Sequence, residues 1–183
     1  MRTKTNDGSG LAFGAGAARI LFSRARSGGG ASVVELTMPE GSAPPLHVHD
    51  EDETVFLLEG RLTFTVGDET IEIGPHTKIV LPAGVPHTYR VEHAGRARWV
   101  VVSETGRFER FVRAVGRPLG ESGAANPSLR EAVAFTVAAA ENGIEILAPA
   151  KAPATERAPA APARTRRRRF GIERDARLVP AVA

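Results

Sequence analysis

Apolar and polar positions alternate along most of the first 115 residues. The segments ARILFS (18–23), SVVELTM (32–38), TVFLLE (54–59), RLTFTV (61–66), TIEI (70–73), KIVL (78–81), HTYRVE (87–92) and ARWVVVS (97–103) are short and rich in β-branched side chains. Turn signals separate them, which is the pattern of β-strands. GDE (67–69) reads as a hairpin turn and SGGGA (27–31) as a looser one. With no helical period between them, these strands predict an all-β fold, an antiparallel sandwich or barrel.

The period then changes. FERFVRAVG (108–116) predicts a short helix, and a second helix is expected over 127–141. Either Asn126 caps it, with Pro127 in the first helical position, or Ser128 and Glu131 form a capping box. Leu129, Val133, Thr136, Val137 and Ala140 form the expected buried stripe. Gly143 ends the helix, and IEIL (144–147) is expected to dock as one more short strand. From Ala148 the chain becomes a Pro/Ala linker followed by RTRRRRF (164–170), where almost nothing apolar can be buried and no packed structure is expected. The expected organisation is an N-terminal arm (1–15), a barrel (16–116), a helical extension (117–147) and a tail (148–183).

Charge sharpens that division. The formal net charge is +3. Residues 151–183 hold nine Lys/Arg against three Asp/Glu, so the basic character belongs to the tail and the rest is slightly acidic. Such a run is most simply a solvated tail, and without aromatic interleaving or a DNA-binding motif, nucleic acid is not an expected partner. No apolar run is long enough to span a bilayer and no secretory leader is visible, so a cytoplasmic protein without a membrane partner is expected. The chain has no cysteine, which leaves histidine and carboxylates as metal ligands.

Those ligand types cluster. In GSAPPLHVHDEDETVFLLEG (41–60), His47 and His49 are two apart, so on a strand they point the same way. Glu53 keeps that parity if the strand continues, or converges if the acidic stretch bends. LPAGVPHTYRV (81–91) supplies His87. Three imidazoles and one carboxylate around a cavity suit one divalent transition metal (Fe, Mn, Ni, Cu, Co or Zn). Glu51 is an alternative ligand in another register. Asp50, Glu51 and Asp52 otherwise read as a solvated turn, and His76 and His93 as solvent-facing. Parity places Val55, Leu57, Tyr89 and Val91 towards the interior, with Phe64 a further candidate, giving an apolar pocket suited to a hydrophobic or aromatic ligand. Trp99 reads as core.

Gly41, His47, His49, Glu53 and Gly60, followed by Pro82, Gly84 and His87, resemble the two motifs of the cupin superfamily. The likeness covers roughly residues 15–115. The gap from Gly74 to Pro82 is longer than usual, and Val91 stands where the motif often has Asn. The resemblance implies a double-stranded β-helix, or jelly-roll barrel, with metal held by His47, His49, Glu53 and His87. The ending FERFVRAVG, helix, GIEIL is similar to that of single-cupin proteins described as quercetin 2,3-dioxygenase-like. This implies a metal-dependent dioxygenase acting on a small phenolic or enolic, flavonol-like substrate, with Glu53 doubling as proton acceptor. Two other functions fit the same residues: a non-catalytic small-ligand sensor, and a metal-dependent isomerase or lyase acting on a sugar or keto acid. A homodimer is expected, because an open jelly roll has sheet edges to cover.

Overall fold

The computed structural model describes residues 10–26, 30–92, 95–120 and 128–148. The linker and arginine run, Asn126 and Pro127, most of the 27–31 turn, and His93 lie outside them. Alternation of buried and exposed positions produces strands β1 (Leu11–Phe13), β2 (Gly16–Phe22), β3 (Ser32–Pro39), β4 (Leu46–His49), β5 (Glu53–Glu59) and β6 (Leu62–Val66). They continue as β7 (Glu69–Ile73), β8 (Thr77–Leu81), β9 (His87–Val91) and β10 (Arg96–Ser103). Helix α1 (Arg107–Val115), the short β11 (Arg117–Pro118), helix α2 (Leu129–Glu141) and β12 (Ile144–Ala148) follow.

The strands form two antiparallel sheets, ordered β11-β1-β2-β3-β10-β5-β8 and β12-β4-β9-β6-β7. This is a jelly roll with a small helical extension. Inward positions of both sheets make one core that includes Val34, Leu36, Leu57, Leu62, Val91 and Trp99. Each such buried side chain contributes roughly 1.5–3 kcal/mol of transfer free energy. In the β6–β7 hairpin Val66 pairs with Glu69, so the turn is Gly67-Asp68, with Gly67 at φ +55° as a tight two-residue turn requires.

Gly60 has a stricter reason to be glycine. It lies at φ +86°, and a Cβ there would approach the Arg96 carbonyl oxygen to 2.5 Å and the Ala97 Cα to 2.7 Å. Backbone cannot swing aside as a flexible side chain can. Gly60→Ala is expected to destabilise the fold by about 2 kcal/mol, from combined strain and clash, read as a shift of the urea midpoint.

Helix α2 begins with the capping box. Ser128 Oγ accepts from the Glu131 amide, and the Ser128 amide donates to Glu131 Oε2 at 2.8 Å. Its buried face is not the expected one. Leu129, Val133 and Val137 are at least half exposed, and Thr136 and Ala140 are exposed as well. The inward face is Phe135, Ala138, Ala139 and Asn142. Two stripes satisfy the helical period, and the tertiary partner decides between them: Phe135 meets Phe111 of α1 edge-on, ring centroids 5.2 Å apart. Small Ala138 and Ala139 then let the helix sit close to its neighbours.

Candidate metal centre

His47 and His49 leave β4 on one face of the five-stranded sheet. His87 stands on the neighbouring β9, in register with His47. The strand does not continue to Glu53. The chain bends through residues 50–52 and enters the other sheet as β5, so Glu53 meets the histidines from the opposite layer. Its Oε2 lies 3.6 Å from His49 Nε2, too long for a good hydrogen bond. His47 and His87 ring centroids are 4.5 Å apart, and those of His49 and His87 4.6 Å. One ligand nitrogen from each of the three lies within 4.8 Å of the others.

The backbone aims all three rings in the same way. Nδ1 of His47 meets the Pro45 carbonyl at 2.8 Å, that of His49 the Glu51 carbonyl at 2.7 Å, and that of His87 the Val85 carbonyl at 2.9 Å. A carbonyl only accepts, so each Nδ1 carries the proton and each neutral ring presents an Nε2 lone pair. The Nε2 atoms of His49 and His87 are buried with no hydrogen-bond partner among the described residues. Buried polar atoms without partners are costly, and a cation bound by these lone pairs satisfies them. The donor set therefore fits a divalent transition metal.

Electrostatics agree. Burial, reinforced by the neighbouring His47, lowers His87 to about 4. Burial also lowers His47. At His49 burial pulls down, but the Glu53 carboxylate outweighs it and raises the ring. Two rings are thus kept neutral and ready to ligate, and the third is held beside an anion.

The acidic turn is not uniformly solvated. Asp50 is exposed and pairs with Arg107, and the Asp52 carboxylate accepts from the Ala83 amide at 2.8 Å. Glu51, in contrast, is buried. Its Oε2 accepts from Ser103 Oγ at 2.9 Å, from the Thr105 amide at 3.1 Å and from Thr105 Oγ1 at 2.5 Å. Its carboxylate is committed to the end of β10 and takes no place among the histidines. Because its own carbonyl orients His49, Glu51 clamps the turn that aims that ring. Glu51→Ala is expected to lose about 2 kcal/mol of stability and to weaken metal affinity about 10–100-fold, measured by thermal melts and chelator competition, with Glu51→Gln losing less. His76 is exposed, at φ +64°, in a turn.

The histidines open onto a cavity of about 230 Å³. Val55, Phe64 and Tyr89 line it as parity implies, whereas Leu57 and Val91 lie in the core and are not among its walls. Trp99 is core, as read from sequence, and is also a wall residue packed 5.0 Å edge-on to Tyr89. Burial, with the Glu53 charge adding, pushes the Tyr89 phenol up, so it stays a neutral O–H. Walls that strand parity could not reveal are Phe13, Phe108, Phe111, Phe135, Ile144 and Ile146, all outside the two motif segments.

The sequence matches the cupin domain family over residues 34–103. It is 30% identical over 116 residues to quercetin 2,3-dioxygenase from Bacillus subtilis (strain 168), an alignment covering 63% of this chain and 34% of that protein. The chain thus spans about a third of that relative's length. Among solved structures, the polyketide cyclase RemF from Streptomyces resistomycificus superposes with a TM-score of 0.50 at 22% identity, covering 57% of this chain and 79% of that one. Oxalate decarboxylase from Bacillus subtilis gives 0.49 at 23% identity, covering 56% and 28%. No helix among the described residues is long and apolar enough to cross a membrane. The matched segment starts within β3, ends with β10 and carries three inward histidines in a jelly roll, so residues 34–103 are the part of this chain that matches the cupin domain family.

Proposed function

We propose that this protein is a metal-dependent dioxygenase acting on a small phenolic or enolic substrate, with His47, His49, His87 and Glu53 as the metal-binding set. The observation that carries the reading is the convergence of three imidazoles and a carboxylate on one aromatic-walled cavity. A divalent transition metal bound there supplies Lewis acidity and a redox centre for substrate and dioxygen. The chain does the rest. The three histidines fix the centre, because their Nδ1–H groups are tied to the backbone. Glu53 is the carboxylate beside them and takes the substrate hydroxyl proton. Val55, Phe64 and Trp99 keep bulk water away, and Tyr89 offers a neutral donor. Flavonol chemistry belongs to the name of the Bacillus subtilis relative, and the walls here suit a small hydroxylated aromatic.

The test is oxygen uptake by protein reconstituted separately with Fe(II), Mn(II), Ni(II), Cu(II) and Co(II), against catechols, naphthols and flavonols. Uptake that depends on metal and falls at least about 100-fold in Glu53→Gln, with metal retained, supports the assignment. Metal-replete protein that consumes no oxygen with any of them overturns it. A largely apolar wall is poorly suited to a sugar, which makes the isomerase reading weaker. Phe56 and Val80 are exposed on the outer side of β5 and the edge strand β8, and we propose that face for the expected homodimer. A monomer in sedimentation analysis would exclude that dimer.

A further inference from the structure

The cavity is finished by parts of the chain outside the 34–103 match. Strand β12 pairs antiparallel with β4, setting Ile144 opposite His49 and Ile146 opposite His47. Directly opposed residues in an antiparallel pair share a face, so both isoleucines sit on the histidine side. Both line the cavity, as does Phe135 from α2, braced edge-on against Phe111. The aromatic character of the space is concentrated. Five of the chain's eight phenylalanines line it, with its only tyrosine and its only tryptophan.

Size and polarity narrow what can enter. An apolar cavity of about 150 Å³ accommodates benzene, and drug-sized ligands occupy about 300–1,000 Å³. At about 230 Å³ this cavity lies between them. Ser42 is among the lining residues, and its buried Oγ has no hydrogen-bond partner among the described residues. A buried hydroxyl left unpaired costs free energy that a ligand's own hydroxyl would recover.

We infer that the α2–β12 segment is the size-determining wall of the substrate cavity, and that the space it leaves selects a hydroxylated aromatic of one or two rings over a three-ring flavonol. This rests on the reading of the cavity as the substrate site of the proposed function, and narrows the substrate of that reaction. Phe135, Ile144 and Ile146 set the length available beyond the histidines. Removing their side chains adds room without touching a metal-binding residue. Ser42 recognises a ring hydroxyl.

The experiment is calorimetric binding to the full chain loaded with Zn(II), which is redox-inert, and repeated after chelator treatment. The probes are catechol, 2-naphthol and 3-hydroxyflavone, with wild type beside Phe135→Ala, Ile146→Ala and Ser42→Ala. Wild type is expected to bind 2-naphthol at least about tenfold more tightly than 3-hydroxyflavone, and the two enlarging variants to reduce that ratio to near one. Ser42→Ala should weaken 2-naphthol several-fold. Circular dichroism checks the fold, and Phe135→Leu and Ile146→Val replace any variant that does not fold. Equal binding of the flavone and 2-naphthol by wild type overturns the inference. So does an unchanged ratio in folded enlarged variants, or no binding of any aromatic probe. Because no turnover is read, a protein that shows the expected size selection but never consumes oxygen would defeat the dioxygenase assignment and leave this inference standing.

Discussion

Substituting His87 or His49 with alanine is expected to abolish metal retention, while wild-type protein holds about one equivalent. Each ring supplies one of the converging nitrogens, and each of these two has a buried Nε2 without a hydrogen-bond partner among the described residues. Losing an outer-sphere partner commonly costs about 10–100-fold in metal affinity, so losing a ligand should cost more. The effect should also be visible as stability. A metal at about one hundred times its dissociation constant stabilises the folded state by about 2.7 kcal/mol. Metal addition should therefore raise the melting temperature of wild type and leave His87→Ala unmoved. His76→Asn is the matched control: His76 is exposed in a turn at φ +64°, a conformation Asn tolerates, and metal content should not change. Elemental analysis of untagged protein, wild type beside the three variants, decides the matter. Equal metal in wild type and His87→Ala would place the ion elsewhere.

The strand ladder was legible because its rule is local. Period-two alternation survives any tertiary arrangement, and the eight strands read from sequence all form, with boundaries shifted by at most two residues. The histidine pair and His87 were legible for the same reason, since identity and spacing on a strand determine which way side chains point. What could not be read was anything decided by a partner far away in sequence. Glu51 looked solvated because it sits in an acidic turn. It is buried because Ser103 and Thr105, more than fifty residues on, supply three donors. The α2 stripe failed because the helical period permits two faces and Phe111 selects one. Leu57 and Val91 share the inward parity of the cavity residues, yet parity distinguishes interior from exterior and does not say where along the interior the space lies. The cavity itself depends on β12 closing against β4 and on α2 packing over α1, a return of the chain that no local pattern announces.

The neutral histidines also make metal-free protein sensitive to acid. His87 is held at about 4 in the folded state, against an ordinary value of 6.5. Between those values the unfolded chain binds a proton that the folded one refuses, so stability falls as pH falls through this window. A depression of that size corresponds to roughly 3 kcal/mol, fully lost once both states are protonated. His47, also lowered, acts in the same direction. His49 acts in the opposite one: its raised value contributes stability that is present at low pH and lost as pH rises. Only the His87 shift is large, so the net is a loss on acidification. Urea unfolding of chelator-treated protein between about pH 7 and about pH 4 should show this decline, and His87→Gln, which cannot take up a proton, should flatten it. If the slope of stability against pH is the same in His87→Gln and wild type, His87 is not the ring that burial holds neutral. A bound metal should steepen the decline, since protons and metal compete for the same nitrogens and the free energy of metal binding is lost over the same pH range.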